Sequence, residues 1–146
     1  EYLNGNETQA KELARLAQNK LAEDLPEGKA TRKPFNWALE FPEVFLKGGF
    51  DGIVGNPPFK GGQKITCDLG TAMRNYLVTN IAEGQKGSAD LVAYFFLRAY
   101  SLLCSGGLFG LLAVNTIAEG DSRQVGLEAL IKKGNATISA AHPNEP

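Results

Sequence analysis

Asn56-Pro57-Pro58-Phe59 is the stretch of this chain whose residue types and spacing could do chemistry. It follows a short apolar run, FDGIVG (50–55), and precedes a glycine-rich polar loop, so it stands where a strand would end. Neither proline can donate a backbone hydrogen bond, and each fixes its own φ, which makes the turn rigid. A rigid turn holds the Asn56 side-chain oxygen and the Pro57 carbonyl in fixed directions. Both are acceptors suited to an NH2 group, and Phe59 offers a flat face beside them. The four residues read as a receptor for a planar amine. The plainer reading is a strand-terminating turn, because Asn and Pro favour turns and Pro-Pro stops a strand cleanly.

The elements that must position this turn follow from periodicity. Ala10, Leu13, Ala14, Ala17 and Leu21 recur at helical spacing over residues 7–24, with Asn6 and Gln9 arranged as an N-cap pair. Pro26, Gly28 and Pro34 break the chain into a loop. The aromatic-rich FNWALEFPEVF (35–45) holds a short strand near 36–40, and Gly48-Gly49 turn the chain into a strand over 50–55. The polar loop FKGGQKITCD leads to a helix over 69–83, with Leu69, Met73, Tyr76, Leu77 and Ile81 on one face. A second glycine-marked loop, EGQKGS, leads to an apolar helix over 89–104 that ends at Ser105-Gly106-Gly107. The run LFGLLAVN (108–115) reads as a strand covered on both faces. Residues 121–133 form a last helix, with Asp121 and Gln124 spaced as a capping box, and ATISAA (136–141) a final strand. Strands separated by helices give an α/β layered fold with at least part of a parallel sheet. Functional groups in such sheets collect at the carboxyl ends of strands, here Asn56 onward and Asn115 onward.

Composition bounds the alternatives. The 146 residues suffice for one domain with a core, and 43% apolar with 21% charged residues is ordinary for a globular chain. No apolar run reaches the roughly 18 residues that span a bilayer, and no signal peptide is expected from the polar stretch that opens the sequence. A formal net charge of -1 argues against this segment alone clamping a polyanion. Cys67, Cys104 and His142 are too few and too scattered for a zinc site, so no metal is expected, and the cysteines read as reduced cytoplasmic thiols. From a start at Glu1 without Met and an abrupt end at Pro146, a piece of a longer protein is expected.

The stretch NPPF resembles motif IV, the (D/N/S)PP(Y/F/W) element of amino-group methyltransferases that use S-adenosylmethionine. FNWALEFPEVF before it and SADLVAYFFLRAYSLLCSGGLFGLLAVNTIAEG after it resemble the adenine-specific DNA methylase region of large restriction-modification methyltransferases. The resemblance covers residues 35 to about 141. It implies that a target adenine in double-stranded DNA is flipped into the pocket. Phe59 would stack on it, while the Asn56 oxygen and the Pro57 carbonyl accept from its exocyclic amine. Two fixed acceptors favour a pyramidal nitrogen whose lone pair faces the sulfonium methyl, and in-line transfer follows from positioning and electrostatics. Pro58 serves rigidity. Asn36 matches the polar residue that the pattern places near the cofactor's adenine, where the family often has Asp; loop and packing roles compete for it. Asp90 is a helix cap in the plainer reading. Asn115 lines the pocket from the neighbouring strand end, or does not; Lys60 and Lys64 touch DNA phosphate or are solvated loop lysines.

The resemblance also makes the chain a single partial methyltransferase domain: helix and linker over 1–34, a core carrying motif IV over 35–146. It would be the catalytic half of a Rossmann-like, mostly parallel sheet flanked by helices. The methyltransferase glycine signature, a strand end followed by x-G-x-G, is found nowhere; SGGLFG follows a helix and opens a strand. The cofactor half is then expected upstream of Glu1 and a target-recognition domain beyond Pro146, so the fragment alone is expected to be inactive. A first strand without its neighbour leaves an open sheet edge, and self-association is expected. Two rivals remain. One is a methyltransferase acting on protein glutamine or ribosomal-RNA guanine, although the 30 residues between Phe59 and Asp90 are more like the large DNA enzymes. The other is a non-catalytic scaffold that keeps the fold.

Overall fold

The computed structural model describes residues 7–85 and 87–133. Helix α1 spans Glu7–Ala22, and two short helices, α2 (Trp37–Glu40) and α3 (Pro42–Leu46), precede strand β1 (Phe50–Gly55). After the NPPF turn come α4 (Gly62–Leu69) and α5 (Thr71–Tyr76), which continues as a π-helical turn over Leu77–Ile81. Helix α6 (Leu91–Leu102) passes directly into β2 (Leu103–Leu111). A 3-10 turn (Asn115–Ala118) leads to α7 (Gly120–Ser122), a π-helical stretch (Arg123–Glu128) and α8 (Ala129–Lys132). The two strands pair in parallel, with Val54 beside Gly110 and Gly55 beside Leu111, and α4, α5 and α6 form the crossover. This is a mixed helix and strand chain with a small parallel sheet, as expected of part of an α/β fold.

The core sits on one face of that sheet. Leu91, Val92, Ala93, Tyr94, Phe96 and Leu97 of α6 are buried with Ile65, Leu77, Val125 and Leu130. Each large side chain buried this way contributes about 1.5–3 kcal/mol. Phe96 meets Phe109 of β2 edge-on, with ring centroids 5.6 Å apart. Period-2 alternation puts Val54, Leu108 and Leu112 on the opposite face, where they are 90, 76 and 64% exposed. Among the described residues nothing packs there, so these cover the run on one face.

Several boundaries differ from the sequence expectation. The stretch 36–40 is helical, not a strand: the Asn36 side chain accepts from Ala38 N–H (3.2 Å) and Leu39 N–H (3.3 Å), which caps α2. The helix expected over 69–83 is preceded by α4, drawn from a segment whose polar composition reads as loop. Gly70, at φ +85°, breaks the two, and its absent Cβ would lie 2.1 Å from Asp24 O. Leu69, Met73 and Ile81 pack on the core as expected, but Tyr76 is half exposed. β2 starts at Leu103, five residues early, and Ser105-Gly106-Gly107 form an irregularity within it instead of a helix stop. Asp121 does not cap its own helix; its carboxylate accepts from Ser88 N–H (2.5 Å). Asn6 and ATISAA (136–141) lie outside the described residues.

The end of α1 is stitched to the α4–α5 break. Arg32 donates to Leu21 O (3.0 Å), Glu23 O (2.7 Å) and Leu69 O (2.7 Å). Asp24 accepts from Thr71 N–H (2.5 Å) and Ala72 N–H (3.1 Å). Those amides, Ala72 first, hold the Asp24 carboxyl below its ordinary value of 3.8. A depressed folded pKa gives stability that is present above the unfolded value and lost as pH falls through the folded one. Denaturation midpoints are therefore expected to fall on acidification below about pH 4, and Asp24→Asn to weaken that fall. An acid limb of the same depth in the variant would contradict the assignment.

Both strands have an unpaired outer edge among the described residues, next to the bare apolar face. Open edges template pairing with further chains. Sedimentation is expected to show concentration-dependent self-association of this chain, and a clean monomer at high concentration would contradict it.

Candidate functional site

The turn after β1 lies at the carboxyl end of the sheet. Gly55 O is the last ladder acceptor of β1, bonded by Leu112 N–H at 3.0 Å. The next residue leaves the ladder because two prolines follow it. Pro57 is buried, while Asn56 and Pro58 are exposed and Phe59 is 47% exposed. No hydrogen bond with a described residue engages the Asn56 side chain or the Pro57 carbonyl. Phe59 stacks on no other ring among the described residues. Two acceptors without a partner among the described residues and a half-exposed aromatic face thus share one rigid turn. Their types permit them to receive an amine attached to a flat ring.

The far side of the turn is pinned to α6. Lys60 N–H donates to Asp90 Oδ1 (3.1 Å), and Leu91 N–H donates to Lys60 O (2.9 Å). Asp90 also caps α6 by accepting from Val92 N–H (3.0 Å), and its own N–H donates to the buried Ser122 hydroxyl (2.9 Å). Gly62 presses on this strap: a Cβ there would lie 2.3 Å from Ser88 O and 2.6 Å from Ala89 O. Nothing in the spacing of residues 60, 90 and 122 announces this arrangement. The cap was legible at Asp90, but its second bond depends on tertiary placement.

A family model described as Eco57I restriction-modification methylase matches residues 2–138. The chain belongs to that family. No curated protein and no solved structure matches it.

In this restriction-modification methylase the other candidate residues are distributed as follows. Asn36 is not beside Asn56. Trp37 meets Phe50 edge-on (5.5 Å), and Phe50 opens β1, whereas Asn56 follows its last residue. The length of the strand, about 20 Å, separates them, and the Asn36 oxygen is already used as a cap. The aromatic motif around Asn36 forms a cluster: Phe50 also meets Phe41 (5.8 Å) and Phe45 (5.6 Å), which fastens α2 and α3 to the amino end of β1. Lys60 Nζ is held by Asp68, and that bond keeps the Asp68 carboxyl below its usual range. Lys64 is exposed on α4. Asn115 opens the 3-10 turn, is exposed, and follows β2 at the same end of the sheet as Asn56.

The methylase's described residues do not form a cradle for S-adenosylmethionine. No strand among them ends in a glycine-rich turn that opens a helix. β1 is followed by Asn-Pro-Pro, and β2 by Leu-Ala-Val. What they present is the acceptor side. No helix among the described residues is long and apolar enough to cross a membrane.

Proposed function

We propose that this chain forms the amine-receiving side of a DNA adenine methyltransferase in a restriction-modification system. The observation that carries this is the turn after β1, where the Asn56 side chain and Pro57 carbonyl have no partner among the described residues and lie beside a half-exposed Phe59. It stands in a chain of the Eco57I restriction-modification methylase family. Adenine N6 carries two hydrogens, which the two acceptors take up, while Phe59 covers the ring. The nitrogen's lone pair is conjugated into the ring and nucleophilically weak. Fixing both hydrogens from one side favours a pyramidal nitrogen with the lone pair turned outward. Acceptors fixed before the reaction need no reorganisation as charge develops.

The methyl donor in this reading is S-adenosylmethionine, which supplies an electrophilic methyl. It would be held by residues other than those described here, on a sheet that continues as a Rossmann-like fold. The unpaired strand edges among the described residues support such a continuation, and the bare face of Val54, Leu108 and Leu112 supports a second layer of helices on it. The substrate would be double-stranded DNA with the target base flipped out, at an unpairing cost of a few kcal/mol. The chain's net charge of -1 leaves the main phosphate contacts to other parts of the protein. The length of α4 and α5 between Phe59 and Asp90 favours DNA over glutamine or ribosomal-RNA guanine.

Labelled S-adenosylmethionine offered to the full-length protein with duplex DNA, ribosomal RNA and a glutamine-bearing peptide decides among these. Label is expected on duplex DNA alone. Label on RNA or peptide would replace the proposal with the rival substrate class, and no label on any of them would favour a scaffold.

A further inference from the structure

The bonds around residue 60 assign a role that the turn's own sequence does not contain. We propose that Asp90 is the positioning residue of the NPPF turn. One carboxylate oxygen accepts from both Lys60 N–H (3.1 Å) and Val92 N–H (3.0 Å), so the register of the turn is locked to the first turn of α6. The proposal rests on the reading of the turn as the amine site.

Three neighbours make the lock stiff. The return bond from Leu91 N–H to Lys60 O (2.9 Å) fixes the same peptide from its other side. The Ser122 hydroxyl, in a residue 8% exposed, accepts from Asp90 N–H and holds the backbone that carries the carboxylate. Asp121 accepts from Ser88 N–H, which holds the strap two residues earlier. Gly62 lies against Ser88 and Ala89 with no room for a side chain. Asn56 is four residues from Lys60, and Pro57 and Pro58 between them allow little φ freedom. A displacement of Lys60 is therefore passed back to the two acceptors instead of being absorbed. Misplacement of a reacting group by about 1 Å can cost a hundredfold in rate.

Two substitutions separate this role from simple helix capping. Asn at position 90 keeps an oxygen at the same reach. Ser keeps a good N-cap for Val92 N–H but is one bond too short for Lys60 N–H. In the full-length protein, Asp90→Asn is expected to methylate DNA within about twofold of wild type. Asp90→Ser is expected to lose about tenfold or more in kcat, with both KM values nearly unchanged and Tm lowered by about 4–8 °C, the scale of one lost hydrogen bond. Amide exchange at Lys60, read by NMR on this 146-residue chain, is expected to accelerate about tenfold in Asp90→Ser only. Wild-type kcat or an unchanged Lys60 exchange rate in a folded Asp90→Ser protein would overturn the proposal. So would an Asp90→Asn protein as impaired as Asp90→Ser. If wild type transfers no methyl group but the exchange pattern holds, the lock stands and the methyltransferase reading falls.

Discussion

Asn56→Ala is expected to lower methyl transfer to DNA by about 10²–10³-fold, the scale of deleting one preorganised donor or acceptor that acts on developing charge. The loss should fall on kcat, because the Asn56 oxygen acts on the amine and not on the cofactor or the phosphates. The substitution also isolates chemistry from folding. The side chain is exposed and makes no hydrogen bond with a described residue, so nothing in the fold loses a partner. Stability should stay within about 0.5 kcal/mol of wild type, as for surface changes away from any special feature. Unimpaired transfer by a folded Asn56→Ala protein would remove Asn56 from the mechanism. A variant that fails to fold would show that the residue holds the turn in a way its hydrogen bonds do not reveal.

Ile65→Ala is expected to destabilise the chain by about 2–5 kcal/mol, the range for truncating a fully buried aliphatic side chain. Ile65 is 0% exposed and is the one buried residue of α4. It joins the core built on α6, with Leu77, Val92 and Leu130. A small domain has about 5–15 kcal/mol in total, so the change should be visible as a large fall in the chemical denaturation midpoint. The local consequence matters more. α4 begins three residues after Phe59, and Ile65 anchors the segment that leaves the turn. Loss of that anchor should raise amide exchange across residues 60–69 before the rest of the core opens. Uniform opening of the whole core, or a change below about 1 kcal/mol, would contradict the anchoring role.

What the sequence revealed and what it hid have separate physical causes. β1, α1 and α6 carry strong local signals. β1 is a short apolar run closed by Pro-Pro, and α1 and α6 have helical periodicity across several turns. α4 lacked such a signal: Gly61-Gly62 and a run of polar residues read as loop, and a single buried Ile65 does not make a period. α2 escaped because aromatic residues favour strands, while Asn36, through its capping oxygen, tips four residues into a helix. β2 was placed too late because the apolar run marks only its second half. Its first half, Cys104 to Gly107, is polar or small and bulges between the pairs Phe50–Leu103 and Gly52–Leu108, so no apolar alternation marks it.

The candidate site divides in the same way. The acceptors and the aromatic face are adjacent in sequence, so NPPF could be read from residue types. Asn36 was matched by spacing along the chain, and spacing does not report that its side-chain oxygen caps α2 at the amino end of β1. The Asp90 lock joins residues 30 and 32 apart, a tertiary fact with no periodic trace.

The central claim is that the NPPF turn receives an adenine amine. Its most direct test is nucleoside analysis by mass spectrometry of duplex DNA incubated with S-adenosylmethionine and the full-length protein, wild type beside Asn56→Ala. The account predicts N6-methyladenine in the first sample and almost none in the second. A methyl group on another atom, or equal N6-methyladenine in both samples, would contradict it.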